Sequence, residues 1–534
     1  MSLPPFTAQN LVEYPVPKPE HSATPSFASP LDAINPRHHL LILISIALVA
    51  RVAVFHMGEV IFSWRSTDMA SIALNYYRNG FHFFMPQVNW GGNGPGFVEM
   101  EFPVIPFLLA VFFKIFGVTE WPALIIPVLS GLGLVAVVYL FCRDLFDPAT
   151  GFMAGLFTAV SPPMTAMSIA LWPDPPMIFC GALGLYALTR WVMKGGRGTF
   201  LLGALATSLS ILLKLTGLYL GLPILYLCYV RYGSGFWKKG VVWLLAAFIL
   251  MAPLLWYIYA HTLFLEYHNT FGIITGGFLK FATTQILLDP SFYFLSLGRM
   301  VFYHFTPMVF LFFVFGILAR QPDRLRYVFH VWFGAIIVYF LVAAKGVSIG
   351  HFQYMLPVVP PGAAVSGVGV MVILKKLGAS PRLSRMTRRA TLALLAVLFI
   401  AGVVWATYVY QVPKFTTEEW NHDRMTGLAV GRMTPPGSLI VVVDNQMGGP
   451  PEGIMTPPNV FYFSDRRGWY VALSWLKGDL IEQRRRAGAQ FLVITANTVS
   501  LFNGEYAGAR DYLTSRYPII FNHEAGVMYD LRPR

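Results

Sequence analysis

Apolar and polar positions divide the chain into two regimes. From Leu40 onward, nearly unbroken apolar runs recur at approximately 123–141, 151–170, 175–193, 199–214, 217–230, 241–260, 300–319, 327–344, 354–374 and 390–410. Such runs predict membrane helices, because about 20 apolar residues cross a bilayer while satisfying their own backbone hydrogen bonds. With the first run they make eleven expected spans. Residues 102–117 are also apolar, but the run is short and holds Pro103, Pro106 and Lys114, so it is expected to lie in the outer interface. After residue 411 the pattern becomes that of a small α/β unit. Residues 438–443 and 490–495 read as buried strands, 476–486 as an amphipathic helix, 505–517 as a further helix, and the neighbourhoods of Ile519 and Val527 as terminal strands. No tandem repeat is visible.

Composition narrows the class. Of 534 residues 56% are apolar and 12% charged, against about 25% charged in soluble proteins. A soluble enzyme, a disordered chain and a coiled coil are thereby excluded. Cys142, Cys180 and Cys228 are too few and too apolar in setting for a disulfide framework or a metal cage. Residues 1–38 hold eight prolines and are expected to form a disordered cytoplasmic tail. The long first apolar run has no small-residue cleavage site, so it is expected to be a membrane helix rather than a signal peptide.

The net charge of +13 is unevenly placed: residues 411–534 hold 13 Lys+Arg and 12 Asp+Glu, so +12 belongs to the first 410 residues. Nucleic acid would require a basic patch on a soluble face, whereas the loops joining the apolar runs explain the excess. One set of loops holds roughly eighteen basic residues and the opposite set roughly six, which places the N-terminus inside and the region after residue 411 outside. Two outer loops are then long, one of about 60 residues after the first helix and one from His261 to about Arg299.

Ionisable residues near membrane level are expensive and become functional candidates. Asp68 follows Ser66 and Thr67, one or the other of which is expected to cap a helix that Gly80 ends. A carboxylate in the first turn of such a helix also serves simple dipole compensation. The glycine-rich stretch 91–96 lacks a phosphate-loop Lys-Ser/Thr and reads as a flexible loop.

Asp68 with its Tyr-rich helix and Gly80, then Glu101-Phe-Pro103 leading into 107–117, resembles the first outer loop of GT-C glycosyltransferases. The branch is that of protein O-mannosyltransferases and lipid A aminoarabinose transferases. The likeness continues through Arg143-Asp-Leu-Phe146, Ser161-Pro-Pro163, Trp172-Pro-Asp174-Pro-Pro176, Leu213-Lys214-Leu-Thr-Gly217 and His351-Phe-Gln-Tyr354-Met-Leu-Pro357. Two positions depart from it. Met69 stands where the family has a second acidic residue, and Phe102 where the aminoarabinose transferases have lysine.

The resemblance implies an α-helical polytopic membrane protein of GT-C type. Residues 39–410 would form a transmembrane catalytic domain and 411–534 an extracytoplasmic α/β domain. It also implies inverting transfer of a sugar from a polyprenyl-phosphate donor to a glycan, glycolipid or protein acceptor on the outer face of the inner membrane. Asp68 is the expected base; Glu101, Asp174, Lys214, Arg299, His351 and Tyr354 are expected to line the cavity. The alternatives for these residues are bland: snorkelling for Lys214 and Arg299, an aromatic belt for His351 and Tyr354, and helix capping for Asp174. Glu101 with His268 or His261 is a candidate divalent-metal pair of the kind the resembling transferases carry. Arg51 is expected to snorkel, and Arg484-Arg485-Arg486 to form a solvated helix face. A flippase for a lipid-linked saccharide is the competing reading, although no internal repeat supports it. A non-catalytic assembly partner is a third.

Overall fold

The computed structural model describes residues 35–55, 63–273, 280–349, 352–381, 383–411, 418–445 and 458–533. Up to residue 411 the described residues are mainly helical. The first helix, α1 (His39–Phe55), is followed by α2 (Trp64–Asn79) and α3 (Val104–Phe116). Each of the apolar runs is mainly helical, but among the described residues only six helices are long and apolar enough to cross a membrane. The longest of these, Gly240–Tyr267, continues six residues past His261, into what the sequence assigns to the second outer loop. A seventh span is counted if Pro290–Phe305 and Pro307–Ile317 are one, yet these meet at 105°. The break falls at Thr306, whose φ of 71° is left-handed, immediately before a proline. Prolines likewise shorten the run at 151–170, which forms two pieces, Pro148–Ala159 and Pro162–Met167. The chain is an integral membrane protein whose spans are interrupted where its sequence places helix breakers.

Arg51 does not snorkel. It is 2% exposed and donates to the carbonyls of Ala47 (2.9 Å) and Ala159 (3.4 Å) and to Ser168 Oγ (3.3 Å). Ala159 is the last residue of the Pro148–Ala159 helix, so the guanidinium sits on the negative end of a helix dipole. Burial without a carboxylate is tolerable there because backbone carbonyls take its protons.

The last 120 residues build a five-stranded sheet of order β2-β1-β3-β5-β4. The strands are β1 (Leu439–Asp444), β2 (Arg467–Ala472), β3 (Ala489–Thr495), β4 (Ile519–His523) and β5 (Gly526–Asp530). β1 pairs in parallel with both β2 and β3, and β5 joins β3 antiparallel. Residues of β1 and β3 alternate between two apolar clusters. Ile440, Val442, Phe491 and Val493 belong to a core that continues into the membrane helices, and Val441, Val443, Leu492 and Ile494 pack with Phe502 and Leu513. A strand buried on both faces reads as a continuous apolar run, which is why these two were visible in sequence. The edge strand β2 begins Arg467-Gly468 and gave no such signal.

The glycine-rich stretch is not a loose loop. Residues 86–98 fold back on themselves, with Val88 N bonded to Gly96 O at 2.8 Å and Val98 N to Pro86 O at 3.1 Å. The turn then lies along the free edge of β2: Gly92 N donates to Gly468 O (2.7 Å) and Gly468 N to Asn89 O (3.0 Å). Gly96 has φ +73°, and a Cβ there would come within 2.4 Å of Val88 O. Gly92 also has φ +73°, and its Cβ would meet the Trp469 indole at 2.6 Å. Gly96→Ala is expected to destabilise the protein by about 1–3 kcal/mol through strain and clash together. A lowered melting temperature in detergent checks this.

Candidate active site

Ser63, not Ser66 or Thr67, starts α2; its hydroxyl accepts from Ser66 N at 3.2 Å. Asp68 is therefore the fifth helical residue, outside the first turn, and dipole compensation does not account for it. Gly80 ends the helix with φ 100°, as its position predicts. The Asp68 side chain is 1% exposed. One oxygen, Oδ1, accepts from Trp90 Nε1 at 3.3 Å; the other has no hydrogen-bond partner among the described residues. Burial pushes its pKa well above the ordinary aspartate value, against the opposing pull of Arg65 and the Trp90 hydrogen bond.

Three acid–base pairs are linked to this site through Glu101 and its neighbours. Arg65, one turn before Asp68, pairs with Glu101 and lies 4.7 Å over the Phe271 ring. Burial disfavours ionisation of Glu101, but Arg65, its own backbone N–H, Lys214 and Lys280 outweigh that and hold its pKa below the ordinary value. Lys214 Nζ reaches Asp174 Oδ1 at 2.6 Å and sits 5.5 Å over the Tyr354 ring. His261 Nδ1 lies 3.5 Å from Glu99 Oε1, and Glu99 also accepts from Thr270. Burial raises the Glu99 pKa despite both contacts. Lys280 donates to Gly272 O at 2.6 Å, and burial lowers its pKa although Glu101 opposes the shift.

Of the expected residues, the structure brings Asp68, Glu101, Asp174, Lys214 and Tyr354 into one electrostatic neighbourhood. Asp174 opens the Asp174–Lys194 helix without a side-chain capping bond, and its second oxygen is buried without a hydrogen-bond partner among the described residues. Two residues before it, Trp172 donates to Ser63 Oγ at 2.9 Å and ties this segment to the start of α2. Arg299 is elsewhere engaged, on the carbonyls of Val347 (2.7 Å) and Ser348 (3.3 Å). His351 lies outside the described residues.

The expected Glu101–His268 metal pair is not assembled. Glu101 is taken by Arg65, and His268 is exposed at the C-terminus of its helix with its ring against Phe264. His261 meets Glu99 instead, and among the described residues no three His, Cys, Asp or Glu side chains are grouped to hold a metal. Arg484 is buried over the Trp469 ring at 5.7 Å rather than solvated, while Arg485 pairs with Glu482 at 2.9 Å.

Sequence reasoning missed Arg65, Trp90, Glu99 and Lys280. Two had a signal: Arg65 is three residues before Asp68 on one helical face, and Glu99 is two before Glu101 in an extended segment. Trp90 and Lys280 reach the site only through long-range folding.

Comparison with known proteins agrees with this architecture. Residues 100–259 match a family model described as dolichyl-phosphate-mannose-protein mannosyltransferase. YycA of Bacillus subtilis (strain 168), provisionally named a mannosyltransferase, is 30% identical over 161 residues, which cover 30% of this chain and 23% of YycA. The match thus spans about a quarter of that relative's length. ArnT from Cupriavidus metallidurans, solved in the apo state and bound to undecaprenyl phosphate, superimposes with TM-score 0.63 at 15% identity over 92% of this chain and 98% of ArnT. The Archaeoglobus fulgidus oligosaccharyltransferase, tethered to an acceptor peptide, gives 0.59 at 13% identity over 93% of this chain and 74% of its own. The chain has the GT-C fold.

Two stability outcomes follow from the buried charges. Because the folded-state pKa of Asp68 is raised, its contribution to stability is present below the unfolded pKa and is lost as pH rises through the folded one. Asp68→Asn is expected to melt above the wild type at neutral pH, with the gap closing in acid. Lys214→Met strands the Asp174 carboxylate and is expected to cost about 3 kcal/mol, much of which Lys214→Met/Asp174→Leu recovers. Denaturation of the three variants in detergent measures both.

Proposed function

We propose that the protein is an inverting glycosyltransferase using a polyprenyl-phosphate-linked sugar, with Asp68 as general base. The observation that carries the reading is the unbonded Asp68 oxygen, held beside Arg65, whose partner Glu101 also feels Lys214 and Lys280. An acceptor hydroxyl gives its proton to that oxygen as it attacks the anomeric carbon. The bond from that carbon to the phosphate oxygen breaks, and the polyprenyl phosphate leaves with the electron pair. A single displacement inverts the anomeric centre and needs one essential carboxylate.

The departing phosphate carries the developing charge, and Lys214 and Lys280 are the proposed groups that stabilise it. Lys214 has three donors, of which Asp174 takes one. Glu101 keeps Arg65 in place beside Asp68. The likeness to dolichyl-phosphate-mannose-protein mannosyltransferases, together with undecaprenyl phosphate on ArnT, supports a lipid-phosphate donor and makes mannose the first sugar to try. The acceptor is proposed to be a glycan, glycolipid or protein. Residues 39–410 are proposed to form the catalytic membrane domain and 411–534 an outer domain covering it. The charge distribution of the loops supports an inner-membrane orientation with this domain outside.

Full-length protein in proteoliposomes with undecaprenyl-phosphate-linked mannose, glucose or arabinose tests the reaction through release of undecaprenyl phosphate. Asp68→Asn is expected to lose transfer by about 10³-fold or more while staying folded. Normal transfer by that variant, or sugar that crosses the bilayer without bond cleavage, would reject the assignment. The base must be ionised, so the rate is expected to rise with pH through the raised Asp68 pKa, giving an acid limb above the ordinary carboxylate range. Orientation is checked by impermeant thiol labelling: Ser515→Cys should react from outside and Ser234→Cys only after permeabilisation.

A further inference from the structure

The Asp68 helix is held from the far end of the chain. Thr67, adjacent to Asp68 and fully buried, has Asn459 Oδ1, across 392 positions of sequence, as the nearest acceptor of its hydroxyl at 2.6 Å, ahead of the Trp64 (2.8 Å) and Ser63 (3.2 Å) carbonyls of its own turn. Asn459 opens the short Asn459–Ser464 helix and is 1% exposed. Its Nδ2 donates to Asp423 Oδ2 at 3.0 Å, and Asp423 sits 2% exposed on the Glu418–Met433 helix. The order of this relay is set by chemistry. A carboxylate only accepts, so the amide must turn its nitrogen to Asp423, which leaves its oxygen for the threonine hydroxyl. An apolar side chain at 459 would leave two buried polar groups without this partner.

A second hold comes from the sheet edge. The two backbone bonds between β2 and the glycine-rich turn involve Asn89 and Gly92, the residues that flank Trp90 and Gly91. Trp90, pinned between them and packed edge-on against Phe271 at 5.9 Å, supplies the hydrogen bond to Asp68. Asn75 of α2 donates to Asn89 Oδ1 at 2.8 Å and closes the frame from the helix side. Arg78, at the end of α2, pairs with Asp465 just before β2. The residues after 411 thus touch α2 at its start, at its end, and through the indole on its carboxylate.

From this geometry we infer that the C-terminal α/β region positions the proposed base, with Asn459 acting through Thr67 and the β2 edge acting through Trp90. The inference rests on the reading of Asp68 as base. Asn459 does not touch substrate in this scheme; it is a positioning residue. Its effect is on where the unbonded oxygen points. A shift of the order of 1 Å in a reacting group is enough to cost about 10²-fold in rate.

The test uses the full-length protein and whichever of the three undecaprenyl-phosphate sugars the wild type cleaves. Asn459→Leu and Thr67→Val are each expected to lower kcat by about 10- to 100-fold with KM for the lipid donor within about twofold. Thr67→Ser keeps the hydroxyl and is expected to restore most of the rate. The double variant Asn459→Leu/Thr67→Val should be no slower than the worse single one, because both remove the same link. A second readout needs no substrate: carbodiimide modification of Asp68, located by mass spectrometry, should move its pH midpoint towards the ordinary carboxylate range in Asn459→Leu. Should that variant fail to fold, the Thr67 pair and its labelling profile carry the test alone. Wild-type kcat and labelling in Thr67→Val or Asn459→Leu, alongside an inactive Asp68→Asn, would overturn the positioning role and leave the base intact. Losses confined to KM, or fully multiplicative losses in the double variant, would overturn it as well. An active Asp68→Asn would instead remove the base itself.

Discussion

Keeping a carboxylate under the surface with one oxygen unbonded costs free energy that neighbouring groups only partly offset, since a buried polar atom without a partner forfeits its hydration. Asp68 is in this position. The arrangement persists only because the surrounding structure over-determines it: Ser63 and Trp172 anchor the start of α2, Gly80 ends it, and Trp90 grips one carboxylate oxygen. Arg65 supplies positive potential without contacting the carboxylate directly, because its guanidinium is committed to Glu101. Relief by a direct ion pair would stabilise the fold and occupy the oxygen that a base needs.

The same economy organises the neighbouring charges. In the Lys214–Asp174 pair the side-chain exposures are 19% and 1%, and in the His261–Glu99 pair 31% and 1%. The acid is buried and the basic group is partly exposed. In these two pairs the carboxylate thus fixes a base without burying it fully. Partly exposed basic groups held this way suit an anionic ligand, and they account for several of the ionisable residues in a chain with only 12% of them.

Much of this was legible in sequence, for reasons that differ from element to element. β1 and β3 were visible because central strands are apolar on both faces, whereas β2 was not, being an edge strand that opens with Arg467 and Gly468. Asp68, Glu101, Asp174, Lys214 and Tyr354 stood out because each sits in a motif resembling those of a known family and is costly at membrane level. Their partners were harder to see. Trp90 lies in a turn whose glycines read as flexibility, and its placement depends on a strand more than 370 residues later. The metal pair failed for a related reason: Glu99 and Glu101 share one side of an extended segment, and the fold gives His261 to the first and Arg65 to the second.

What the sequence determined by itself was the solvent of each region, the positions of its helix breakers and the identity of the carboxylate worth attention. Those properties are local: hydropathy, proline and glycine placement, and the cost of a charge act over one or two turns of chain. The tertiary structure alone decided which base meets which acid, which oxygen of Asp68 stays unbonded, and that the end of the chain returns to hold its beginning. These are pairings across hundreds of residues. Hydrogen bonds such as Thr67 to Asn459 carry no periodicity, and only the packed chain, which must satisfy every buried polar group it can reach, selects among them.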